Sequence, residues 1–102
     1  CLVPTGLAVA FFSDFEIQIR PRSGIAAKNR ISVLNTPGTI DSDYRGEIIV
    51  ILFNHGNSNF IINNRDRIAQ MILTPVIKME LQETDELPET VRGEAGFGST
   101  GK

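Results

Sequence analysis

From Phe15 to Arg20 the chain alternates strictly: Phe15, Ile17 and Ile19 are apolar, while Glu16, Gln18 and Arg20 are polar. Successive side chains of a strand point to opposite faces, so this pattern buries one face of a β-strand and wets the other. Helical periodicity is nearly absent from the remainder. Ile48–Phe53 (IIVILF) is an unbroken β-branched and aromatic run, short enough to be a strand buried on both faces. Phe60–Ile62 follows the turn-forming cluster His55–Asn59 (HGNSN). Ile68–Leu73 and Val76–Leu81 read as further strands, separated at Pro75, which has no N–H to give a ladder. The opening, CLVPTGLAVAFF, is strand-like as well. Only Gly24–Asn29 (GIAAKN) suggests a helix, a turn or two long.

Short strands separated by turn signals predict an all-β fold, a sandwich, jelly roll or barrel with one short helix. A chain of 102 residues supports one such domain and is too small for two. From Gln82 the composition shifts to QETDELPETVRGEAGFGSTGK, acidic and then Gly-rich with few apolar anchors. We therefore expect a β core over residues 1–81 and a flexible C-terminal arm over residues 82–102. The net charge of −2 marks neither a nucleic-acid groove nor a polybasic membrane patch, so an anionic ligand must be held by local groups. A single cysteine, Cys1, excludes an internal disulfide and a thiolate metal cage, and it points to a reducing, cytoplasmic compartment. No segment has the apolar length to span a bilayer, and no signal-peptide pattern opens the sequence.

Several segments carry chemistry-bearing residues. Gly96–Lys102 (GFGSTGK) fits the phosphate-binding pattern GxxxxGK. A true P-loop lies between a buried strand and the start of a helix, whereas here an acidic, Pro-containing linker precedes it. The same groups allow a different reading: glycine amides, the Ser99 and Thr100 hydroxyls and the Arg92 charge carried onto a polyphosphate held elsewhere. Phe97 separates this from a passive linker, because a large aromatic suits a lid that stacks on a base. Pro21–Gly24 (PRSG) ends one strand and opens the helix. Ser23 is placed to cap that helix, and Arg22, Ser23 and the amides of Gly24 could equally hold an anion. Asn35–Glu47 (NTPGTIDSDYRGE) is a hairpin-like loop with Asp41, Asp43 and Tyr44. It reads either as a Pro-Gly turn with solvated acids or as a general base beside an aromatic wall. Gln70 interrupts an apolar run, so it faces solvent or a ligand. His55 has no partner in the sequence and is a poor candidate for catalysis or metal binding.

In order and spacing, PRSG, GTIDSDYRGE (Gly38–Glu47), RIAQMIL (Arg67–Leu73) and RGEAGFGSTG (Arg92–Gly101) resemble the motifs of the trimeric dUTP diphosphatase (dUTPase) family over nearly the whole chain. The resemblance implies a jelly-roll-like β fold whose homotrimer shares its active sites. It implies hydrolysis of dUTP to dUMP and diphosphate, limiting uracil in DNA and supplying dUMP for dTMP synthesis. Arg22, Ser23 and Gly24 match the phosphate-holding motif, and Gln70 a phosphate-contacting glutamine. Asn35 and the hairpin through Gly38, Thr39 and Ile40 match the segment that bonds the uracil edge, largely through backbone groups. Asp41 matches the base that activates water for in-line attack on the α-phosphorus, and Tyr44 the ring that leaves no space for a 2′-hydroxyl. Arg92, Phe97, Gly98, Ser99 and Thr100 match the arm that closes from a neighbouring subunit. Mg²⁺ is then held mainly by substrate phosphates and water, without a metal ligand from this chain.

Two departures stand out. Ala95 replaces a common Gly, which stiffens the arm slightly. The family's first motif, upstream of a segment like Leu2–Phe11, is missing, and truncation or cleavage ahead of Cys1 is the expectation. Two other readings remain, a non-catalytic nucleotide-binding or regulatory relative and the dCTP deaminase branch of the fold. The joint presence of Asp41, Tyr44 and Phe97 favours the enzyme, and the uracil-type hairpin opposes the deaminase.

Overall fold

A computed structural model describes residues 1–101, so Lys102, the last position of the GxxxxGK pattern, lies outside the described residues. Its strands are β1 (Leu2–Pro4), β2 (Phe15–Arg20), β3 (Ile31–Val33), β4 (Gly38–Ile40), β5 (Ile49–Asn54) and β6 (Gln70–Pro75), with one helix, α1 (Ser23–Asn29), after β2. They form two three-stranded sheets, ordered β1-β5-β3 and β4-β2-β6. Every pairing is antiparallel. The expected all-β sandwich with one short helix is what forms.

The alternation in β2 works as read. Ile17 and Ile19 are buried and meet Ile31, Val33, Val50 and Leu52 of the facing sheet, with Ile48 just before β5, in one aliphatic core. The Ile48–Phe53 run does not behave as predicted. Ile48, Val50 and Leu52 are buried, but Ile49 and Phe53 are each 46% exposed, so only one face of this strand is covered by its own chain. An all-apolar run hides a period-2 structure because its exposed face is written in the same residue types.

Other expectations shift too. β6 begins at Gln70, after Ile68, and ends on Pro75, opposite Phe15 at the edge of its sheet, where a missing N–H is tolerated. Val76–Leu81 forms no strand: Val76 N–H still bonds Asp14 O at 2.8 Å, but Ile77, Met79 and Leu81 are at least 80% exposed. Phe60–Ile62 also lies outside the strands, although Phe60 and Ile62 pack on the core. Asn35–Glu47 joins β3 to β5, which pair antiparallel with each other, so the segment is hairpin-like as read, but midway it sends β4 out to pair with β2 in the other sheet before returning.

Helix α1 is capped differently from the sequence reading. The extended cap residue is Arg22, with no side-chain cap bond, and Ser23 falls inside the first turn. Arginine has no acceptor to offer the free amides; its Nη1 instead donates to Arg67 O at 2.8 Å. The helix ends at Arg30 in the left-handed region, φ 59°, where a non-glycine residue costs roughly 1–2 kcal/mol.

Beyond Val76 the hydrogen bonds among the described residues are local, such as Arg92 Nε to Ala95 O at 2.8 Å. The radius of gyration is 18.9 Å. A compact chain of this length would have about 13 Å. The excess comes from an acidic, Gly-rich segment that stays off the sandwich.

Candidate active site

Two clefts collect part of the set singled out in the sequence, and they share no lining residue; Arg22 and Gly24 line neither. The first, about 240 Å³, is bordered by Asn35, Gly38, Thr39, Ile40, Asp41 and Tyr44, over apolar groups that include Ile19 and Val33. β4 builds one wall. Among the described residues it pairs only with β2, so its outer edge is free of sheet bonds. Gly38 is buried against Ile19, where a Cβ would lie 3.1 Å from the Ile19 Cβ. After β4 the chain turns tightly: Tyr44 N–H donates to Asp41 O at 3.1 Å, and Arg45 Nη1 donates to Ser42 O at 2.7 Å. This turn leaves the Asp41 carboxylate exposed at the cleft and directs the Tyr44 hydroxyl to Glu47 O at 2.9 Å. Glu47 also borders the cleft.

The second cleft is more open, about 570 Å³, and brings Ser23 and Gln70 together with Gln18 and Arg20. Gln70 Nε2 donates to Pro21 O at 2.8 Å, which pins this side chain to the PRSG segment. Arg22 is tethered to the same region by its bond to Arg67 O. Gly24 sits in open space, with nothing within 4 Å of the place a side-chain carbon would take. Sequence reasoning missed Arg20. Its guanidinium donates twice to Gln18 Oε1, at 3.1 and 2.8 Å, and it lines the same cleft as Ser23 and Gln70, the latter its direct partner in the β2–β6 ladder. The wet face of the β2 alternation, directly before PRSG, was the available signal. β2 supplies Ile19 to the first cleft and Gln18 and Arg20 to the second. Alternate strand residues face opposite sides, so β2 contributes to two separate clefts.

Arg92, Phe97, Gly98, Ser99 and Thr100 line neither cleft. They lie in linked tight turns, with Ser99 N–H bonded to Gly96 O at 3.1 Å and Gly101 N–H to Gly98 O at 2.9 Å. Phe97 is fully exposed, with a left-handed φ of 49°. Among the described residues no strand leads directly into Gly96 and no helix starts within Gly96–Gly101, so the P-loop context is missing here. His55 does find a partner that sequence could not show, Ser32 Oγ at 2.7 Å from Nε2. Among the described residues no group of three His, Cys, Asp or Glu side chains converges to hold a metal. The side chains alone therefore do not make a cage for Mg²⁺, which commonly binds through one or two carboxylates and substrate phosphates. Among the described residues no helix is long and apolar enough to cross a membrane.

Comparison with known proteins converges on one group. The dUTPase family model matches residues 1–101. The chain is 59% identical over 100 residues to the deoxyuridine 5'-triphosphate nucleotidohydrolase of Maricaulis maris, covering 98% of this chain and 66% of that protein. It is 58% identical over 101 residues to the namesake protein of Nautilia profundicola, covering 99% and 71%. The chain thus spans roughly two thirds of the length of these relatives. Among solved structures, the Staphylococcus bacteriophage 80alpha dUTPase with dUPNHPP superposes with a TM-score of 0.81 at 24% identity, over 100% of this chain and 76% of that one. A mutant dUTPase of phage phi11 of S. aureus, described with a coordinated structural Mg(II) ion, gives 0.71 at 17% identity, over 87% and 74%. At these identities the likeness shows the fold, the jelly-roll type of the dUTPases.

Proposed function

Because the chain belongs to the dUTPase family, we propose that it hydrolyses dUTP to dUMP and diphosphate. The observation that supports this best is the meeting of Asn35, Gly38–Asp41 and Tyr44 in one cleft with an exposed carboxylate at its rim. Uracil presents acceptor, donor and acceptor along its edge, and the free edge of β4 offers alternating backbone N–H and C=O groups to match. Cytosine reverses part of that edge and would leave buried groups unpaired, at about 1–3 kcal/mol each. Tyr44 walls the sugar position, leaving no room for a 2′-hydroxyl.

In the reaction we assign, Asp41 accepts a proton from water as its oxygen attacks the α-phosphorus. The bond from that phosphorus to the bridging oxygen breaks, and diphosphate leaves with the electron pair. Arg22, Ser23, Gly24 and Gln70 hold the phosphates, with Arg20 placed to assist. Mg²⁺ carried on the triphosphate would neutralise part of its charge. The separation of the two half-sites within one chain supports a homotrimer whose clefts are completed by neighbours. So do the apolar Ile77, Met79 and Leu81 left uncovered. In this assembly Arg92, Phe97, Gly98, Ser99 and Thr100 close over the nucleotide from another subunit, with Phe97 on the base. We place the enzyme in the cytoplasm, where the exposed thiol of Cys1 stays reduced and where its product supplies dTMP synthesis while uracil is kept from DNA.

The test is diphosphate release measured on dUTP, dCTP, dTTP and UTP. Turnover of dUTP with poor use of the other three agrees with the proposal. Binding without turnover of any would favour a non-catalytic relative, and ammonia release from dCTP would favour the deaminase branch.

A further inference from the structure

The turn that closes the nucleoside cleft holds its aromatic wall in an unusual way. Tyr44 Oη donates to Glu47 O at 2.9 Å, which draws the ring back over residue 46. The acceptor is well anchored. Glu47 Oε1 accepts Gly6 N–H at 2.7 Å, and the next residue, Ile48, is 1% exposed, donates its N–H to Leu7 O at 2.8 Å and accepts from Thr5. The ring is thus clamped to a fixed piece of backbone. A Cβ built on Gly46 would overlap Tyr44 Oη and lie 2.6 Å from Cζ and 2.9 Å from Cε1. Those are its three nearest neighbours, and all belong to one flat, stiff ring that cannot yield like the end of a lysine. Backbone conformation does not demand glycine here, since the glycines with positive φ are Gly6, Gly93, Gly98 and Gly101. The ring of Tyr44 is what excludes a side chain at position 46.

We propose that Gly46 is a specificity-determining positioning residue, whose missing side chain lets Tyr44 lie where it rejects a 2′-hydroxyl. The inference rests on the dUTPase reading of the cleft. It acts entirely through Tyr44, so a methyl group at position 46 should move the ring and admit ribonucleotides before it harms the rest of the site. A residue that only supported the fold would depress dUTP and UTP turnover together.

The test is a double-mutant cycle in the full chain with Gly46→Ala, Tyr44→Ala and the pair, reading the ratio of kcat/KM for dUTP to that for UTP. Gly46→Ala is expected to lower this ratio by about tenfold or more. In the Tyr44→Ala background, where the clashing atoms are gone, it should change nothing. If Gly46→Ala alone fails to fold, the same contact requires the double variant to fold, as read by thermal unfolding. An unchanged ratio in a folded Gly46→Ala protein overturns the inference. So does an equal effect in both backgrounds, or a double variant that also fails to fold. Diphosphate release from dUTP by the parent is measured in the same series. Its absence would overturn the dUTPase reading, while the unfolding arm of the cycle would still decide the contact between Gly46 and Tyr44.

Discussion

Residues 1–76 and residues 77–101 use the same apolar residue types in opposite ways. In the sandwich, Ile17, Ile19, Ile31, Val33, Ile48, Val50 and Leu52 are buried by their own chain. In the C-terminal segment, Ile77, Met79, Leu81, Leu87, Val91 and Phe97 are all at least 80% exposed. The two regions differ in backbone bonding as well. The sandwich is held by ladders between distant residues, whereas the C-terminal segment closes its backbone bonds within three positions, as from Ala95 N–H to Arg92 O and from Ser99 N–H to Gly96 O. Burying apolar area is what stabilises a fold, so the folding free energy resides in the first region. The second is proposed to act only when another surface receives it. Stability and catalysis should therefore respond separately to changes in each part.

The largest separation is expected between a core truncation and an arm deletion. Ile48→Ala removes a nearly fully buried side chain and should destabilise the protein by about 2–5 kcal/mol in denaturant unfolding. Removing Arg92–Lys102 should leave that unfolding curve almost unchanged while reducing dUTP turnover by roughly 100-fold, the scale of losing a positioned catalytic element. A large loss of stability on removing the arm would erase the distinction between the regions. A smaller effect sharpens it. Arg30 and Phe97 are both non-glycine residues with positive φ, at 59° and 49°. Arg30→Gly, inside the sandwich, should raise stability by up to about 1 kcal/mol, because it relieves strain the folded state carries. Phe97→Gly, out on the arm, should leave the unfolding midpoint where it was.

The legible parts of the fold were those where solvent wrote a contrast into the sequence. Phe15–Arg20 declared its buried face because Glu16, Gln18 and Arg20 marked the wet one. Ile48–Phe53 carried no such contrast, since Ile49 and Phe53 lie exposed in the isolated chain and are apolar all the same. Val76–Leu81 had the composition of a strand, but pairing needs a neighbour, and composition does not name one. The excursion of β4 out of the β3–β5 connection into the other sheet was hidden for a related reason, because turn residues look alike whether they join paired strands directly or carry the chain to another sheet and back. In the candidate site, motif order located Asp41, Tyr44, Ser23 and Gln70. It could not show that they divide between two clefts, that Arg20 joins the second, or that Tyr44 lies against Gly46. Those facts depend on alternation across β2 and on contacts made only after folding.

Asp41, the exposed residue at the rim of the cleft proposed to take the nucleoside, carries the proposed chemistry most directly. Asp41→Asn keeps the shape of the side chain and removes its ability to take a proton from water. Diphosphate release from dUTP, measured together with dUTP affinity on the parent and this variant, reads both consequences. The prediction is a fall in turnover of about 100- to 10,000-fold with affinity nearly unchanged. Turnover retained at the parental rate would contradict the assignment of Asp41 as the base.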